Sequence, residues 1–498
     1  MNVSPTGSGD ISSNDFSGDP IPPFYPANYT CSNVYTLSAV PGPGYVFEYW
    51  KVVSSSGSVI YTTSPITVNT TTQSKNVTAY FIDPQNATTL YFPHVTTRSP
   101  WQTEIGLINA SSSLAVAGTL KAKSNSGLLL EVKEITLPAR GRRQITVANE
   151  FVNHSNIGYI IFTANTTANV VGYTKFFQSG AYRTAIPAVT EVNTSDIYIS
   201  HIASNSTFWT GISLVNTNAQ ARTITLTFND GRSTSLTINA NEHKIFTIAG
   251  LFGGQPQTAI KSGVISNASG IIGLELFGSA SQLDGLLLTD NTVSTIYYPH
   301  VANQQVWWTG IVAYNPSSSA CDMTITPYTE SGTVLDTSTI SIAGKEKYIG
   351  LVRDLDLPDQ TAWFKIDASR PITGFELFST LDNRQLAAYA EASGAGARTG
   401  VFPKIEKSGW TGIAFVNTES TNATVTLTAY NDSGTAIASQ TIALNGYEKV
   451  VSIAEQLFAP ASISSATYIA FSANRNVVGF QLNGSSDSKM LDSLPALN

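Results

Sequence analysis

GVFPKIEKSGWTGIAFVNT, at residues 400–418, is the clearest of four stretches of the chain that resemble one another. The other three are LYFPHVTTRSPWQTEIGLINA (90–110), IYISHIASNSTFWTGISLVNT (197–217) and IYYPHVANQQVWWTGIVAYNP (296–316). They recur about every hundred residues, which is the signature of an internal structural repeat. The downstream segments GYTKFF, GLELFG, GFELFS and GFQLNG follow in one register. The chain therefore contains four related units.

Three residue types recur in each stretch and are predicted to anchor the repeat. The tryptophans are Trp101, Trp209, Trp308 and Trp410, the glycines are Gly106, Gly211, Gly310 and Gly412, and the asparagines are Asn109, Asn216, Asn315 and Asn417. We interpret the tryptophans as buried anchors between two sheets, because an apolar strand follows each of them. The asparagine side chain is expected to bond its own backbone in a turn.

Within one unit, short runs of strand-like character alternate with turn signals. In the fourth unit the runs include ATVTLTAY and NVVGFQL, and the turns include NDSG and LNGY. About seven or eight strands per hundred residues is typical of an antiparallel sandwich. The predicted fold class is all-β, with four tandem antiparallel β-sandwich (Ig-like) repeats after a small β module. A single helical turn is predicted at SIAEQLF, TVANEF and TIAGLF, and propeller blades are the second-ranked architecture.

The four units resemble a tandem repeat of secreted bacterial proteins that has the pattern TGIALVNP, VTLTAY, a short LF turn and a VVG strand. The match spans roughly residues 89–498 and is clearest from Trp410 to Asn417 and from Val425 to Tyr430. The first unit departs most, since it carries WQTEIG where the others have WTG. In that family the repeats are non-catalytic extracellular modules, so the resemblance implies architecture more than activity.

The segment before the repeats resembles the divergent internalin-type B repeat of bacterial surface proteins. TLSA at 36–39, GYVF at 44–47, Trp50 and VTA at 77–79 match that pattern in order. Strand-like alternation agrees with the resemblance, and Trp50 is expected to supply the main bulk of a very small core. In that family such modules are spacers or parts of adhesive surface proteins.

These patterns divide the chain into six predicted segments. They are a flexible polar N-terminal segment at 1–27, the small β module at 28–84, and sandwich repeats at 85–193, 194–293, 294–394 and 395–498. Cys31 and Cys321 fall in different segments, so no disulfide framework is predicted.

Charge and hydropathy exclude several classes of function. Charged residues make up 12% of the chain, and the net charge of −7 includes no basic stripe that would bind nucleic acid. The basic run Arg140, Arg142 and Arg143 is interpreted as a solvated hairpin. No apolar stretch is long enough to span a membrane. The first residues lack the pattern of a signal peptide, so we expect an extracellular or cell-surface protein whose export signal is absent from this sequence.

The histidines are the first candidates for chemistry. His94, His201 and His300 share one register, and three histidines would suit zinc. Each lies in a separate sandwich, however, and Lys404 stands in the fourth unit, so we predict a structural role at strand entry. We predict no metal site and no cofactor.

Two glutamates are the second candidates, because a glycosidase needs two carboxylates that face each other. Glu275 and Glu376 occupy a position that we align with Lys175 and Gln481 in the other units. A position that accepts such different side chains is interpreted as the solvent side of an edge strand. The sequence therefore predicts no catalytic residue and no enzyme, and a hydrolase would need a cleft with two carboxylates.

The leading hypothesis is a non-catalytic extracellular structural or adhesive repeat protein of a bacterial surface or filament. Its partners would be a surface glycan, a protein ligand or further copies bound through edge strands, with the N-terminal segment as one contact. The alternative is a carbohydrate-binding module array accessory to a secreted enzyme. Trp307, which has no counterpart in the other units, is the candidate ligand-binding residue of that alternative.

Overall fold

β-strands run through the chain from the first residues to the last. The structure is a computed structural model, and it describes residues 1–13, 34–302, 305–390 and 395–498. More than half of the chain is strand, and helix is limited to short turns. The predicted all-β class with tandem sandwich-like sheets is confirmed.

The small module is built from seven strands around one core. They are β1 (Asn2–Ser4), β2 (Gly9–Ser13), β3 (Val34–Pro41), β4 (Val46–Ser54), β5 (Gly57–Tyr61), β6 (Ile66–Asn69) and β7 (Asn76–Ile82). They form two sheets, in the orders β1-β7-β4-β5 and β2-β3-β6. The side chain of Trp50 is fully buried in the core of this module.

The prediction of a flexible N-terminal segment at 1–27 is wrong for its first part. β1 pairs in parallel with β7, and β2 pairs with β3. Ile11 is buried in the core beside Trp50. The reason is physical: a module this small leaves strand edges open, and the N-terminal strands cover them. Residues 14–27 of the predicted segment, and Cys31, lie outside the described residues.

The four predicted repeats keep their residue ranges here as units 1 to 4. The strands of unit 1 are β8 (Thr88–Phe92), β9 (Gln102–Asn109), β10 (Val116–Ser124), β11 (Leu129–Leu137), β12 (Arg142–Thr146), β13 (Ile157–Ala164), β14 (Val170–Gln178) and β15 (Tyr182–Pro187). Those of unit 2 are β16 (Ile197–Ile199), β17 (Trp209–Asn216), β18 (Arg222–Phe228), β19 (Ser233–Ile238), β20 (His243–Thr247), β21 (Gly263–Ser266), β22 (Ile271–Gly278) and β23 (Leu283–Leu287).

Units 3 and 4 repeat this series with one long strand each. The strands of unit 3 are β24 (Val293–Tyr298), β25 (Trp307–Tyr314), β26 (Cys321–Tyr328), β27 (Ser338–Ile342), β28 (Lys347–Leu351), β29 (Trp363–Thr380) and β30 (Leu386–Tyr389). Those of unit 4 are β31 (Ala397–Phe402), β32 (Gly409–Asn417), β33 (Ala423–Tyr430), β34 (Ala436–Leu444), β35 (Lys449–Ile453), β36 (Tyr468–Ser485) and β37 (Leu491–Pro495). β29 and β36 run through both sheets of their units.

Units 1 and 2 are each a sandwich of an outer and an inner four-stranded sheet, and in units 3 and 4 the long strands β29 and β36 join the two layers into one seven-stranded sheet. In unit 1 the outer sheet has the order β11-β10-β13-β8 and the inner sheet the order β12-β9-β14-β15. Unit 2 has the same arrangement, and its inner sheet is β20-β17-β22-β23. An immunoglobulin constant domain instead groups its strands as ABED and CFG, so the likeness to that fold is one of layered architecture.

Short helical turns close one end of each sandwich, where the sequence predicts them. They are α1 (Val147–Glu150), α2 (Ile248–Leu251), α3 (Ala454–Leu457) and, in unit 3, a 3₁₀ turn at Val352–Leu355. A further 3₁₀ turn spans His154–Asn156.

The four units close into a ring around their last strands. β15 of unit 1 contacts both β23 and β37, and β30 contacts the same two strands. Thr184 donates to Asp284 Oδ1 at 2.5 Å, and Ser493 donates to the carbonyl of Ala388. Each inner sheet therefore has a forward face that packs on the next unit and a backward face that packs on the preceding one. We call the contact between unit 4 and unit 1 the seam.

Candidate functional site at the ring interfaces

A hairpin turn of one unit docks on the fifth strand of the next. Three backbone N–H groups at the start of that strand donate to carbonyls of the preceding unit: Arg142 to Asp432, His243 to Asn125 and Lys449 to Glu330. The turn glycine allows the close approach. Gly332 has a φ of 88°, and a Cβ on it would lie 2.2 Å from the carbonyl oxygen of Gly446. The first residue of the fifth strand is thus an interface position in every unit.

The threonine of the WTG motif holds the strand that enters each sandwich. In unit 2 Thr210 Oγ1 accepts from the N–H of Ala203 at 2.9 Å and donates to its carbonyl at 3.1 Å. Thr103 makes the same pair of bonds with Thr96. The threonine is buried on the core side, so the tryptophan before it and the glycine after it face the opposite way.

The repeat tryptophans are therefore not anchors between the two sheets, and that prediction is wrong. Trp209 is 38% exposed and the other three are half-buried, and alternation places Trp209, Trp308 and Trp410 on the backward faces. Each ring of units 2 to 4 lies over the glycine two residues later. A Cβ added to Gly211, Gly310 or Gly412 would lie 3.3, 3.2 or 3.2 Å from the tryptophan ring. The motif glycine therefore has no side chain that would press against the tryptophan ring.

Unit 1 departs from this motif, because a charged residue occupies the position at which the other units have the motif glycine. Counted from Asn109, the position of the motif glycine is occupied by Glu104, and Gly106 is not in register with the other glycines. Glu104 points from the backward face into the seam. It accepts from Lys404 Nζ at 2.7 Å and from the Tyr173 hydroxyl at 2.8 Å.

The seam is a buried, balanced cluster of charges. Its cations are Arg142, Lys175, Arg183 and Lys404, and its anions are Glu104, Glu406, Asp432 and Asp492. Lys175 lies 3.7 Å from Glu104 and 3.6 Å from Glu406. Arg183 lies 3.2 Å from Glu406 and also pairs with Asp492. All but Asp432 are largely removed from solvent, so their mutual pairing is what makes their burial tolerable.

Several charged residues of the seam stand where unit 2 has apolar or small residues. On the backward face, Glu104, Lys175 and Arg183 take the places of Gly211, Leu276 and Leu283 of unit 2. On the forward face of unit 4, Asn483 takes the place of Phe277. The contact that closes the ring is thus chemically unlike the other three.

Neighbouring ammonium groups keep Glu104 and Glu406 ionised. Burial disfavours the charge of Glu406, but the ammonium groups of Lys175 and Lys404 lower its pKa to about 2. The pKa of Glu104 is lowered in the same way, by Lys175 and Lys404 against the effect of burial. Burial lowers the pKa of Lys404 to about 8.

The basic run at residues 140–143 also belongs to the seam, so its interpretation as a solvated hairpin is wrong for Arg142. This side chain is 5% exposed. Its guanidinium donates to the carbonyl of Pro403 at 3.1 Å and to Asp432 at 3.1 Å. The partners lie in a unit almost three hundred residues away, so sequence neighbours could not indicate them.

The three other interfaces contain the histidines of the repeat register. His94 Nδ1 lies 3.4 Å from His243 Nε2 between units 1 and 2. His201 Nδ1 lies 3.0 Å from Lys347 Nζ between units 2 and 3. His300 contacts the ring of Phe480 between units 3 and 4. The histidines thus lie in three different interfaces, and the structure does not bring them together.

The interpretation of Glu275 and Glu376 as solvent-facing is wrong. They are 2% and 0% exposed, because the forward face of each unit is covered by the next. Burial raises the pKa of Glu275 to about 8 and that of Glu376 well above its usual range. The residue of unit 1 in this register is Thr174, not Lys175. The two glutamates lie in separate interfaces and do not face each other across a cleft.

The side chains of the repeat asparagines form hydrogen bonds with the backbone of the hairpin that follows them. Asn216 Oδ1 accepts from the N–H of Asn218 at 3.0 Å, which is the turn predicted from the sequence. Its Nδ2 donates to the carbonyls of Gln220, Ile238 and Asn239 at 2.8, 3.0 and 3.0 Å. Asn109, Asn315 and Asn417 make equivalent bonds and, like Asn216, are fully buried.

A cavity of about 800 Å³ lies on the ring axis, at the carboxyl ends of the four central strands. All four units line it, with small apolar residues such as Ala185, Ala388 and Ala496. Asp290 at its edge accepts from the N–H groups of Thr194 and Ser195 at 2.7 and 3.0 Å. Sequence reasoning missed this cavity because it exists only when the units form a ring.

Aromatic side chains gather at the opposite end of the ring, where the second strands begin. Phe208 and Trp209 are each 38% exposed, and Trp101 stacks on Tyr182 with ring centroids 5.7 Å apart. Trp307, the predicted ligand candidate, is half-buried and packs on the apolar cluster between units 3 and 4. Trp209 is therefore the more accessible ring.

Among residues 1–13, 34–302, 305–390 and 395–498, no three His, Cys, Asp or Glu side chains are placed to hold a metal ion. No helix in those ranges is long and apolar enough to cross a membrane. A scan against protein-family models and a search of curated proteins match nothing to this chain.

Proposed function

We propose that the chain is a non-catalytic extracellular protein of structural or adhesive function, of the kind found on bacterial surfaces or in filaments. The supporting observation is where its ionisable residues lie. Glu275, Glu376, His201 and His300 are enclosed between units and do not line the axial cavity. The resemblance of the module and repeats to secreted bacterial proteins supports the same proposal.

A binding and turnover assay on the full chain tests this proposal. We expect saturable binding of the labelled protein to bacterial cell-wall or host-cell preparations, with no hydrolysis of a panel of chromogenic glycosides and esters. Hydrolysis that disappears in Glu376→Gln would contradict the proposal, because it would assign that carboxyl group to catalysis.

The second candidate is a carbohydrate-binding protein, and the exposed aromatic rings at one end of the ring favour it. Aromatic faces stack on sugars, and Trp209 and Phe208 are accessible to a ligand. A glycan array would show selective binding that is lost in Trp209→Ala. Ile349→Ala is the matched control, because Ile349 is 52% exposed in the edge strand β28, away from that end. Equal binding by both variants would remove the candidate, and loss in Trp307→Ala alone would return it to the originally predicted residue.

A further inference from the structure

The fourth strand of every unit is an edge strand of the outer layer. These strands are β11, β19, β27 and β34 in units 1 to 4. Among the described residues, each pairs on one side only, with the strand that precedes it along the chain or in space. An unpaired sheet edge is a template for the addition of a further strand, so folded proteins protect such edges with charge, cover or short length.

Three of the four edges are protected in these ways. β11 lies against β5 of the small module, and its Glu134 pairs with Lys51 Nζ of that module at 2.6 Å. β19 is six residues long, and Lys244 Nζ donates to the carbonyl of Thr237 in this strand at 2.7 Å. β27 has only five residues. Pairing of a further strand with these three edges is therefore blocked, capped or short.

β34 differs from the other three edges. It is the nine-residue strand AIASQTIAL, which contains no charged residue and no proline and extends about 30 Å. In the part of the chain that the structure describes, no strand or helix other than β33 lies along it. Ser439, Gln440 and Thr441 at its middle are exposed. A long, uncharged and uncovered edge is where association with another strand is expected.

The sequence of β34 is complementary to itself in the antiparallel direction. With Gln440 of two copies at the centre, Ser439 of one copy lies opposite Thr441 of the other. One step further out, Ala438 lies opposite Ile442. Residues that are directly opposite in an antiparallel pair have their side chains on the same face. Hydroxyl groups therefore meet on one face, and apolar groups meet on the other.

The hydroxyl pairs would continue a ladder that is already present in unit 4. Thr426 Oγ1 lies 3.2 Å from Thr441 Oγ1, and Thr428 Oγ1 lies 3.2 Å from Ser439 Oγ. Both pairs lie on the outer face, across β33 and β34. A second copy of β34 places a hydroxyl group beside each of these two residues again, so the added strand repeats the cross-strand pairing of the sheet it joins.

The apolar pairs lie on the core side of the sheet. Ala438 and Ile442 pair with Ala429 and Val425, which are buried in the core of unit 4. Ala438 and Ile442 are themselves only partly buried, because β34 is the margin of that core. A second copy of β34 would cover both side chains and bring its own pair, so that the two cores become continuous. Burial of this apolar surface favours association.

We propose that two copies of this chain associate through β34, antiparallel and about a two-fold axis at Gln440, so that their fourth units share one continuous sheet. This inference rests on the proposed structural or adhesive function and names a partner for it, a second copy. Both copies use the same edge, so the contact closes on itself and gives a dimer instead of an open fibre. A dimer presents two rings and thereby two sets of adhesive surfaces, which increases avidity for a surface.

Sedimentation analysis of the full chain, from about 1 to about 200 µM, tests the proposal over a range that includes weak pairing. We expect a monomer–dimer equilibrium without larger species. Gln440→Lys brings like charges together at the two-fold axis and should raise the dissociation constant on the order of tenfold or more. Ser341→Lys is the matched control, because Ser341 is exposed in the uncharged edge strand β27, and it should leave the equilibrium unchanged.

Mixing two variants tests the position of the two-fold axis. Gln440→Lys and Gln440→Glu should each be largely monomeric alone, and an equimolar mixture should regain the dimer because opposite charges then meet. Circular dichroism checks that both variants are folded. If either is not, oxidation of Gln440→Cys takes the place of the mixture. It should give a disulfide-linked dimer that neither the wild-type chain nor Ser341→Cys forms, because directly opposite residues lie within disulfide distance.

Three outcomes would overturn the proposal. They are a wild-type chain that is monomeric throughout the concentration range, an equal effect of Ser341→Lys, and a mixture or cross-linking experiment without dimer. Failure here is distinct from failure of the proposed function. A monomer that binds cell-wall preparations and hydrolyses nothing contradicts only the pairing through β34, whereas hydrolysis by a dimer contradicts only the proposed function.

Discussion

Lys404 of unit 4 donates a hydrogen bond to Glu104 of unit 1 at 2.7 Å, across 300 residues of sequence. Neither residue matches the repeat pattern, since Lys404 replaces a histidine and Glu104 replaces a glycine. Two departures that look unrelated along the chain therefore meet at the seam. Buried ion pairs contribute little net stability but can specify which surfaces pair. We interpret the seam as the element that lets unit 1 pair with unit 4 rather than with another unit.

The first prediction concerns this pair. Lys404→Ala should lower the free energy of unfolding by about 3–5 kcal/mol, because it leaves the carboxylate of Glu104 buried with one partner fewer. Urea denaturation measures the loss, and Lys407→Ala, an exposed neighbour, should cost less than about 0.5 kcal/mol. The double variant Glu104→Gln with Lys404→Met should recover most of the loss. Additive losses from the two sites would contradict the coupling.

The sequence was sufficient for the parts of the fold that depend on local pattern. Period-two runs and turn residues predict strands, and the recurrence of Trp, Gly and Asn predicts four sandwiches. The turn made by Asn216 could be predicted because its bonds are local. The ring could not be predicted, because its contacts join surfaces of different units that carry no shared pattern. For the same reason Glu376 and Arg142 were expected in solvent and are buried.

The candidate site could also be predicted only where it depends on local sequence, and not where it depends on contacts between units. The register of His94, His201 and His300 is visible in the sequence, but their partners His243, Lys347 and Lys449 come from the next unit. Trp209 was expected in a core, because a tryptophan before an apolar strand usually packs inside. Alternation places Thr210 inside and the tryptophan outside, and only the presence of a glycine after it could have indicated this.

The second prediction compares two tryptophans. Trp363 is fully buried between units 3 and 4, stacks on Tyr328 and donates from Nε1 to the carbonyl of Tyr447 at 3.0 Å. Trp363→Ala should cost about 3–5 kcal/mol as a buried aromatic truncation. Trp410→Ala should cost only about 1–2 kcal/mol, since its half-buried ring loses less apolar contact. Equal losses in urea denaturation would place the ring of Trp410 in a core after all.

The third prediction concerns the repeat asparagines. Asn315→Ala removes the Nδ2 donor to the carbonyls of Ser319, Ile342 and Ala343 and should cost about 2–3 kcal/mol, because several hydrogen bonds of a buried side chain are lost together. Thermal unfolding followed by circular dichroism measures the change. Asn86→Ala is the control, because Asn86 bonds Asp83 at the surface and its loss should be within about 0.5 kcal/mol. A near-neutral Asn315→Ala would show that the remaining donors, such as Ser317 Oγ to the carbonyl of Ser319, are sufficient for these carbonyls.

The last prediction concerns the N-terminal strands. Deletion of residues 1–13 removes β1 and β2, which pair with β7 and β3, and takes Ile11 out of the core around Trp50. The module then has two uncovered strand edges and a smaller core, so its local unfolding should become easier while the ring stays intact. We expect limited proteolysis of the shortened chain to cut within residues 34–82 at least tenfold faster, an increase that corresponds to about 1.4 kcal/mol. Cleavage within 88–498 should keep its wild-type rate, which serves as the internal control. Light scattering on the same two proteins tests the predicted role of the N-terminal segment in self-association. A shortened chain that resists protease as well as the full chain would show that the N-terminal strands contribute nothing to the module.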